Sequence, residues 1–180
     1  MILPTADRKD EFLVMAAEFH DVGETDWPHH ARAGDPIAME DFDAFLKRCE
    51  NLRLRQDMPP GFVPSTEYWL VAGGRLVGTA SLRHELNEFL TYEGGHIGYC
   101  IRPSQRGKGY MTAFMQRLLA EAARLDIDSV LMTCLAKNIP SQRIIEHFDG
   151  TLEDERPSRR EPGSLLRRYW ITNLPEASED

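Results

Sequence analysis

Cysteine is scarce in this sequence, and long apolar runs do not occur. The three cysteines, Cys49, Cys100 and Cys134, lie far apart and form no C-x-x-C pair, which argues against a disulfide scaffold and a zinc site. No apolar run approaches the length needed to cross a bilayer, and the start MILPTADRKDEF becomes charged too early for a signal peptide. We therefore expect a cytoplasmic protein without a metal site or a membrane partner.

Positive charge is also in deficit. The chain has 21 basic against 29 acidic residues, with a formal net charge of -8. A general nucleic-acid binder needs a surplus of cations to displace counterions from the phosphate backbone, so nucleic acid is not an expected partner. The acidic balance favours a cationic substrate through long-range steering.

The hydrophobic pattern predicts one domain over residues 1–180, with a frayed tail at 175–180. A short apolar start, expected as a strand, precedes two amphipathic helices between residues 7 and 56, the first capped by Asp7 and the second starting near Asp41. The segment GETDWPHHARAGDP between them reads as a loop. The predicted order continues with a hairpin turning at Gly73 and Gly74, a polar connection, the strand GHIGYCI, a helix through Met111, the strand SVLMTC, the helix SQRIIEHF, and strands at Thr151–Leu152 and LLRRYWIT.

This order predicts an α/β (α+β) fold, with a mixed, mostly antiparallel twisted sheet flanked by helices. The strand, helix and strand around residues 95–134 form the only clear parallel crossover in the pattern. If the strands on either side of Leu90 pair antiparallel about it, His84 falls opposite His96, with Glu85 and Glu93 at the mouth of the pair.

The run IRPSQRGKGYMTAF changes within one short window from strand-like to basic and then to helical. The first amides of a helix are unpaired donors in a partial positive field, so Arg106 and Lys108 beside them favour a phosphate group. The run is not a Walker A loop, because Gly109 follows Lys108 and Arg102 stands where the first glycine belongs. It matches a dinucleotide fingerprint only weakly, because Thr112 occupies the position of the third glycine.

The pattern that fits resembles the acyl-CoA loop of the Gcn5-related N-acetyltransferases (GNAT), [QR]-x-x-G-x-[GA] between a strand and a helix. Arg106 to Tyr110 match it, while Met111 replaces the usual small residue. The flanking strands, Asn138 with Ser141, and the following IIEHFDG are also similar to that family, over residues 66–171. SLRHEL and GGHIGYCIRPS resemble a subgroup known mainly as predicted acetyltransferases.

The resemblance implies a central parallel strand pair splayed around acetyl-CoA, used as the acyl donor and without a metal. A bulge in the first of these strands would pair with the pantetheine arm, and the glycines would let backbone amides approach the pyrophosphate. Helices 7–56 would line the acceptor side. The cofactor-binding residues implied are Tyr99, Cys100, Ile101, Arg106, Gly107, Lys108, Gly109, Tyr110, Met111, Asn138 and Ser141.

The resemblance also implies direct transfer, in which an amine attacks the thioester and a backbone amide near Tyr99 stabilises the oxyanion. A lysine-like amine has a pKa of ~10.4, so a base is needed, and Glu85 and His96 are the candidates. The tyrosine that many family members use to protonate the thiolate is replaced by Ile145. Tyr99, Tyr110, Ser141 or water are left as possible acids, or the thiolate leaves unassisted.

Two functions follow from these residues. The first is an acetyl-CoA-dependent N-acetyltransferase acting on a primary amine of a cationic small molecule or protein. The alternative is a non-catalytic module that binds or senses acyl-CoA, motivated by Ile145 and Met111. Either would be a monomer or a homodimer. Cys100 and Cys134 end the two strands expected to splay, and we interpret them as small buried side chains without chemistry.

Overall fold

The computed structural model describes residues 1–24 and 41–173. Its helices are α1 (Lys9–Asp21), α2 (Phe42–Leu54), α3 (Glu88–Tyr92), α4 (Tyr110–Ala123) and α5 (Ile139–His147). Its strands are β1 (Ser65–Ala72), β2 (Arg75–Arg83), β3 (Ile97–Ile101), β4 (Ser129–Leu135), β5 (Thr151–Pro157) and β6 (Leu165–Thr172). Short 3-10 turns precede α1 and follow β3.

The strands form two antiparallel sheets of three strands each, in the orders β1-β2-β3 and β4-β6-β5. In the first sheet the hairpin turns at Gly73 and Gly74, as predicted. In the second sheet β6 is central and pairs with both β4 and β5. The fold is therefore the mixed, mostly antiparallel α/β arrangement that the sequence predicts, but divided into two sheets.

The N-terminal helices pack on the outer part of the first sheet through aromatic side chains. Phe12 of α1 stacks on Trp69 of β1 with ring centroids 5.1 Å apart, and Phe45 of α2 stacks on Phe12 at 5.4 Å. All three side chains are fully buried, and each such burial stabilises the fold by roughly 1.5–3 kcal/mol. Asp41 fixes the start of α2 by accepting a hydrogen bond from the Ala44 amide at 2.9 Å.

Helix α4 joins the two sheets into one core. Its apolar stripe, which includes Met115 and Leu118, is buried with Leu82 and Ile97 of the first sheet and with residues of the second. The two sheets are thereby held side by side, and the ends of β3 and β4 are brought next to each other.

Several predicted details are wrong. The apolar start forms a single bridge from Ile2 to Trp69 rather than a strand, and Asp7 lies in a 3-10 turn and does not cap α1. The polar connection contains the helix α3, which was not predicted because it is short and has no clear amphipathic pattern. Strand β5 continues through the charged residues to Pro157. These residues are tolerated in the strand because both of its faces are largely exposed to solvent. The interpretation of residues 25–36 as a loop and of 175–180 as a frayed tail lies outside the described residues.

Candidate active site

Strands β3 and β4 meet at one point and then separate. The His96 amide donates to the Leu131 carbonyl at 2.8 Å, and the Leu131 amide donates to His96 Nδ1 at 2.9 Å. Gly95 allows this approach, since a Cβ there would lie 2.3 Å from the Leu131 carbonyl oxygen. Beyond this junction the described strands share no ladder, so a cleft opens between them.

The cleft has a volume of about 340 Å³. Residues from β3, including Ile97 and Tyr99, form one wall, and residues 132–135 of β4 form the other. Ser141 and Ile145 of α5 complete the lining. An opening of this size between two strands suits an extended ligand that enters along the strands.

The backbone of β3 is available to such a ligand at alternate residues. Two hydrogen bonds flank the ladder between β3 and β2. The Arg83 amide donates to the His96 carbonyl at one end, and the Arg102 amide donates to the Val77 carbonyl at the other, so the backbone groups of His96 and Arg102 face β2. In an antiparallel ladder the residues between them alternate in direction, which turns the backbone groups of Tyr99 and Ile101 away from β2. Consistent with this alternation, the Ile101 carbonyl does not face β2 but accepts a hydrogen bond from Arg106 Nε at 3.1 Å.

This register corrects the expected role of Cys100. The pairing from Ile97 to Ile101 runs without a shift, so the bulge expected in this stretch is absent from the described ladder. Cys100 pairs with Thr79, and its thiol lies 3.3 Å from the Thr79 hydroxyl among the side chains under α1 and α2. Burial raises the pKa of this thiol to about 12. Only Cys134 of the two cysteines lines the cleft.

Tyr99 crosses the cleft to α5. Its hydroxyl donates to the Ser141 Oγ at 3.1 Å. Burial raises the pKa of Tyr99 to about 12, although the hydrogen bond to Ser141 acts in the opposite direction. A phenol hydroxyl therefore stands near the α5 position where the sequence has Ile145, whose side chain is fully buried.

The glycine loop after β3 leaves backbone amides open at the start of α4. Gly107 and Gly109 both have φ of +73°, a conformation that favours glycine, and nothing lies within 4 Å of a Cβ at either position. Gly109 is the N-cap of α4 and no side chain caps the helix. Met111 points into the core, 4% exposed, so its side chain does not obstruct the helix start.

The two cations of the loop are engaged with protein groups. Arg106 forms two hydrogen bonds of 2.7 Å to the Glu24 carboxylate and lies over the Phe19 ring. Lys108 donates to the Gln105 side chain at 2.8 Å. Arg106 therefore ties the loop to α1, while Asn138 fixes the other side by accepting from the Ser141 amide at 3.2 Å.

His96 sits at the strand junction, where burial and the nearby Arg83 lower its pKa to about 4. Because Nδ1 accepts the Leu131 amide, the neutral ring carries its proton on Nε2 and has no free lone pair for an amine proton. The expected pairing of His84 with His96 is wrong by one residue. Arg83 lies opposite His96, and a one-residue shift turns the His84 side chain to the other face, against Thr66 Oγ1 at 2.8 Å.

Glu85 lies away from the cleft. Its side chain is 54% exposed and pairs with Arg55 at 3.4 Å, and it is not among the residues that line the opening. The structure thus brings together Tyr99, Ser141 and the glycine loop but not Glu85.

Two cleft carboxylates were not singled out as bases from the sequence. Glu93 is 4% exposed and accepts hydrogen bonds from Ser158 Oγ at 2.7 Å and from the Arg159 and Arg160 amides at 2.7 and 3.2 Å. Glu161 pairs with Lys137, which lowers the pKa of its carboxyl group. Glu93 was expected at the mouth of the strand pair and ends α3 just before β3. Glu161 lies at the cleft because the β5–β6 connection folds back onto α3, a long-range contact with no local sequence signal.

Within residues 1–24 and 41–173, no group of three or more potential metal ligands is found. In the same ranges, no helix has the length and apolar character required to cross a membrane.

Solved structures with the same fold include several acetyltransferases. RimL, a ribosomal L7/L12 alpha-N-protein acetyltransferase in complex with coenzyme A, superposes with a TM-score of 0.71 at 16% identity, covering 96% of this chain and 93% of that one. The microcin C7 self-immunity acetyltransferase MccE, in complex with acetyl-CoA and AMP, gives 0.70 at 13% identity, covering 95% and 90%. YncA, a putative acetyltransferase from Salmonella typhimurium with acetyl-CoA, gives 0.61 at 16% identity, covering 94% and 92%.

No curated protein sequence matches this chain. A family model, described as the acetyltransferase (GNAT) domain, matches residues 3–151. The chain therefore belongs to the GNAT family of acetyltransferases.

Proposed function

We propose that this protein transfers the acetyl group of acetyl-CoA directly to a primary amine of a small molecule or a protein. The observation that carries the proposal is the opening of β3 and β4 beyond the His96–Leu131 junction, with Tyr99 and Ser141 facing each other across it. The relatives named above do not identify the acceptor, since RimL acts on a ribosomal protein and the MccE structure holds AMP.

The residues present fit the donor. The outward-facing backbone groups of Tyr99 and Ile101 would pair with its extended arm in the manner of an added strand. The uncapped first turn of α4 and the open glycine loop would receive its pyrophosphate. Lys108 is exposed beside this turn and adds positive charge there. Asn138 and Ser141 at the start of α5 would bound the donor on the other side.

Tyr99 is proposed to assist departure of the thiolate. Its raised pKa keeps the phenol protonated at neutral pH. The one phenol proton, which Ser141 Oγ accepts in this structure, would turn from Ser141 to the sulfur as negative charge develops there. The Ser141 hydroxyl could then donate its own proton to the phenol oxygen. In this way Tyr99 of β3 would supply the hydroxyl that a tyrosine at the position of Ile145 in α5 would otherwise provide.

Glu161 is proposed to receive the proton of the acceptor amine. Both carboxylate oxygens of Glu93 are occupied by Ser158 and by backbone amides, whereas the contacts of Glu161 with Lys137 and Ser164 involve Oε1 alone. The lowered pKa keeps Glu161 ionised at neutral pH, so it attracts an ammonium group and accepts its proton through water. His96 is instead proposed to hold the two strands together.

The test is the release of free CoA thiol from acetyl-CoA across a panel of polyamines, amino sugars, amino acids and peptides. Transfer to at least one primary amine, with the N-acetyl product identified by mass spectrometry, is the expected result. Tight binding of CoA with no thiol release for any amine would contradict the proposal and would favour an acyl-CoA-binding module.

A further inference from the structure

A second cavity of about 250 Å³ lies beside the cleft. It is bounded by the chain before β1, by β2 and by α3, and the apolar side chains of Phe62, Val63 and Phe89 contribute to it. Arg83 and Arg160 are its charged members, and no acidic residue is found among the described residues that line it. The cavity therefore combines an apolar surface with positive charge, in contrast to the net charge of -8 of the chain.

Arg160 connects this cavity to the cleft, because it lines both. Its guanidinium carbon lies 4.8 Å from the centre of the Phe89 ring, and one of its nitrogens lies 3.9 Å from the Cβ position of Gly94, next to the strand junction. A ligand that occupies both cavities would therefore pass Arg160 on its way to the thioester.

The Arg160 guanidinium forms no ion pair with any residue that the structure describes. By contrast, Arg156 of β5 pairs with Asp154, and Arg168 of β6 pairs with Glu153 and Asp154. The neighbouring Glu93 carboxylate accepts hydrogen bonds from Ser158 and from the Arg159 and Arg160 amides. It acts on the Arg160 guanidinium through space, without a direct ion pair, and its charge partly offsets the effect of burial on the pKa of Arg160. Burial lowers the pKa of Arg160, which an anionic ligand would offset.

From this geometry we infer that the acceptor carries an anionic group, a carboxylate or a phosphate, close to its primary amine, and an apolar group that enters the second cavity. The amine lies in the cleft, Arg160 binds the anion through its planar fork of donors, and the apolar group lies near Phe89 and Phe62. The inference rests on the proposed function and names its substrate class as amino-acid-like zwitterions. The amine of such a molecule remains the cation that the acidic surface attracts.

The test compares three acceptors that share one primary amine and one benzyl group: L-phenylalanine, L-phenylalaninol phosphate and L-phenylalaninamide, which lacks an anionic group. The wild-type protein should acetylate one or both anionic compounds with a kcat/KM about tenfold or more above that of the amide, since hydrogen bonds to charged groups contribute roughly 1.5–3 kcal/mol. The two anionic compounds distinguish carboxylate from phosphate recognition.

The variants isolate the side chain responsible. Arg160→Gln should abolish the preference for the anionic compounds, and Arg160→Lys should retain part of it. Arg159→Gln is the matched control, because Arg159 stacks on Tyr92 and lines neither cavity, and it should leave the preference unchanged. The melting temperature and the Kd for CoA should be the same in all three variants.

Equal kcat/KM for the three acceptors, or equal loss of the preference in Arg159→Gln, would overturn the inference and leave the proposed function standing. Binding of N-acetyl-L-phenylalanine and N-acetyl-L-phenylalaninamide, measured by calorimetry, keeps the two questions separate if no acetyl transfer occurs. Tighter binding of the acid that is lost in Arg160→Gln supports the anion site, and equal or absent binding of both compounds overturns it.

Discussion

The two rims of the cleft are built in different ways. The donor rim, residues 107–111 with the outward-facing backbone of β3, offers main-chain groups and needs only glycine and a helix start. The acceptor rim, formed by the side chains of Arg160 and Glu161, depends for its position on hydrogen bonds from residues 158–160 to Glu93, which lies 65 to 67 positions away in sequence. Under the proposed function, the donor that the family shares would contact backbone groups, while the acceptor specific to this chain would contact side chains.

The largest expected effect concerns the Tyr99 hydroxyl, which crosses the cleft from β3 to Ser141 of α5. Tyr99→Phe should lower kcat by roughly 100-fold, because general acid assistance typically contributes about 10²–10⁴-fold. The Kd for CoA should change little, since the backbone that binds the donor is retained. Tyr68→Phe, on β1 and outside the cleft lining, is the control and should keep wild-type kcat. A kcat for Tyr99→Phe within twofold of wild type would remove Tyr99 from the chemistry.

The acceptor rim is tested by Glu161→Gln, which should lower kcat/KM for the amine by about tenfold to a hundredfold through loss of the proton acceptor. The loss should shrink as the pH rises toward the pKa of the amine, because the free base then becomes abundant. Glu155→Gln removes a carboxylate that also pairs with a basic residue, Arg167, but does not line the cleft. Equal effects of the two substitutions at every pH would argue against a role for Glu161 in proton transfer.

The donor rim is tested by Gly109→Ala. A Cβ at φ of +73° costs about 1 kcal/mol and tilts the amides at the start of α4, so the KM for acetyl-CoA should rise by roughly tenfold. Gly74→Ala imposes a similar strain at φ of +77° in the distant hairpin and should leave this KM unchanged. An unchanged KM in Gly109→Ala would mean that the loop does not receive the donor.

These differences explain what the sequence could and could not predict. The order from β1 to β6, the start of α2 near Asp41 and the glycine loop between β3 and α4 depend on local sequence pattern, and they are found as predicted. Glu161 and Arg160 reach the cleft through tertiary contacts, which no hydrophobic pattern in the sequence predicts. The predicted pairing of His84 with His96 was wrong by one residue. The register of β2 with β3 is set by α3 and by the Gly94–Gly95 turn, and the sequence pattern alone does not fix it to within one residue.

A separate effect, on the stability of the fold rather than on turnover, concerns the junction from which both rims diverge. The pKa of His96 is about 4 when folded, against an ordinary value of about 6.5, so the unfolded chain binds the additional proton. The stabilisation from His96 is present above pH 6.5 and falls as the pH decreases toward 4, by up to about 3 kcal/mol.

Urea unfolding at pH 7.5 and pH 5 measures this loss. His96→Asn places an amide oxygen near the Nδ1 position to accept the Leu131 amide, and it should reduce the difference in the free energy of unfolding between the two pH values. The exposed His147→Asn should leave that difference unchanged. An identical pH dependence in wild type and His96→Asn would show that His96 does not titrate at the junction.

Amide hydrogen exchange with and without CoA tests the central claim most directly, because it reports on both rims in one experiment. CoA should slow exchange at Tyr99, Ile101 and the first turn of α4, while the Arg159 and Arg160 amides should keep the rates that their bonds to Glu93 give them. Protection of the acceptor rim to the same degree, or no added protection at Tyr99 and Ile101, would contradict a donor site built from the backbone of β3 and α4.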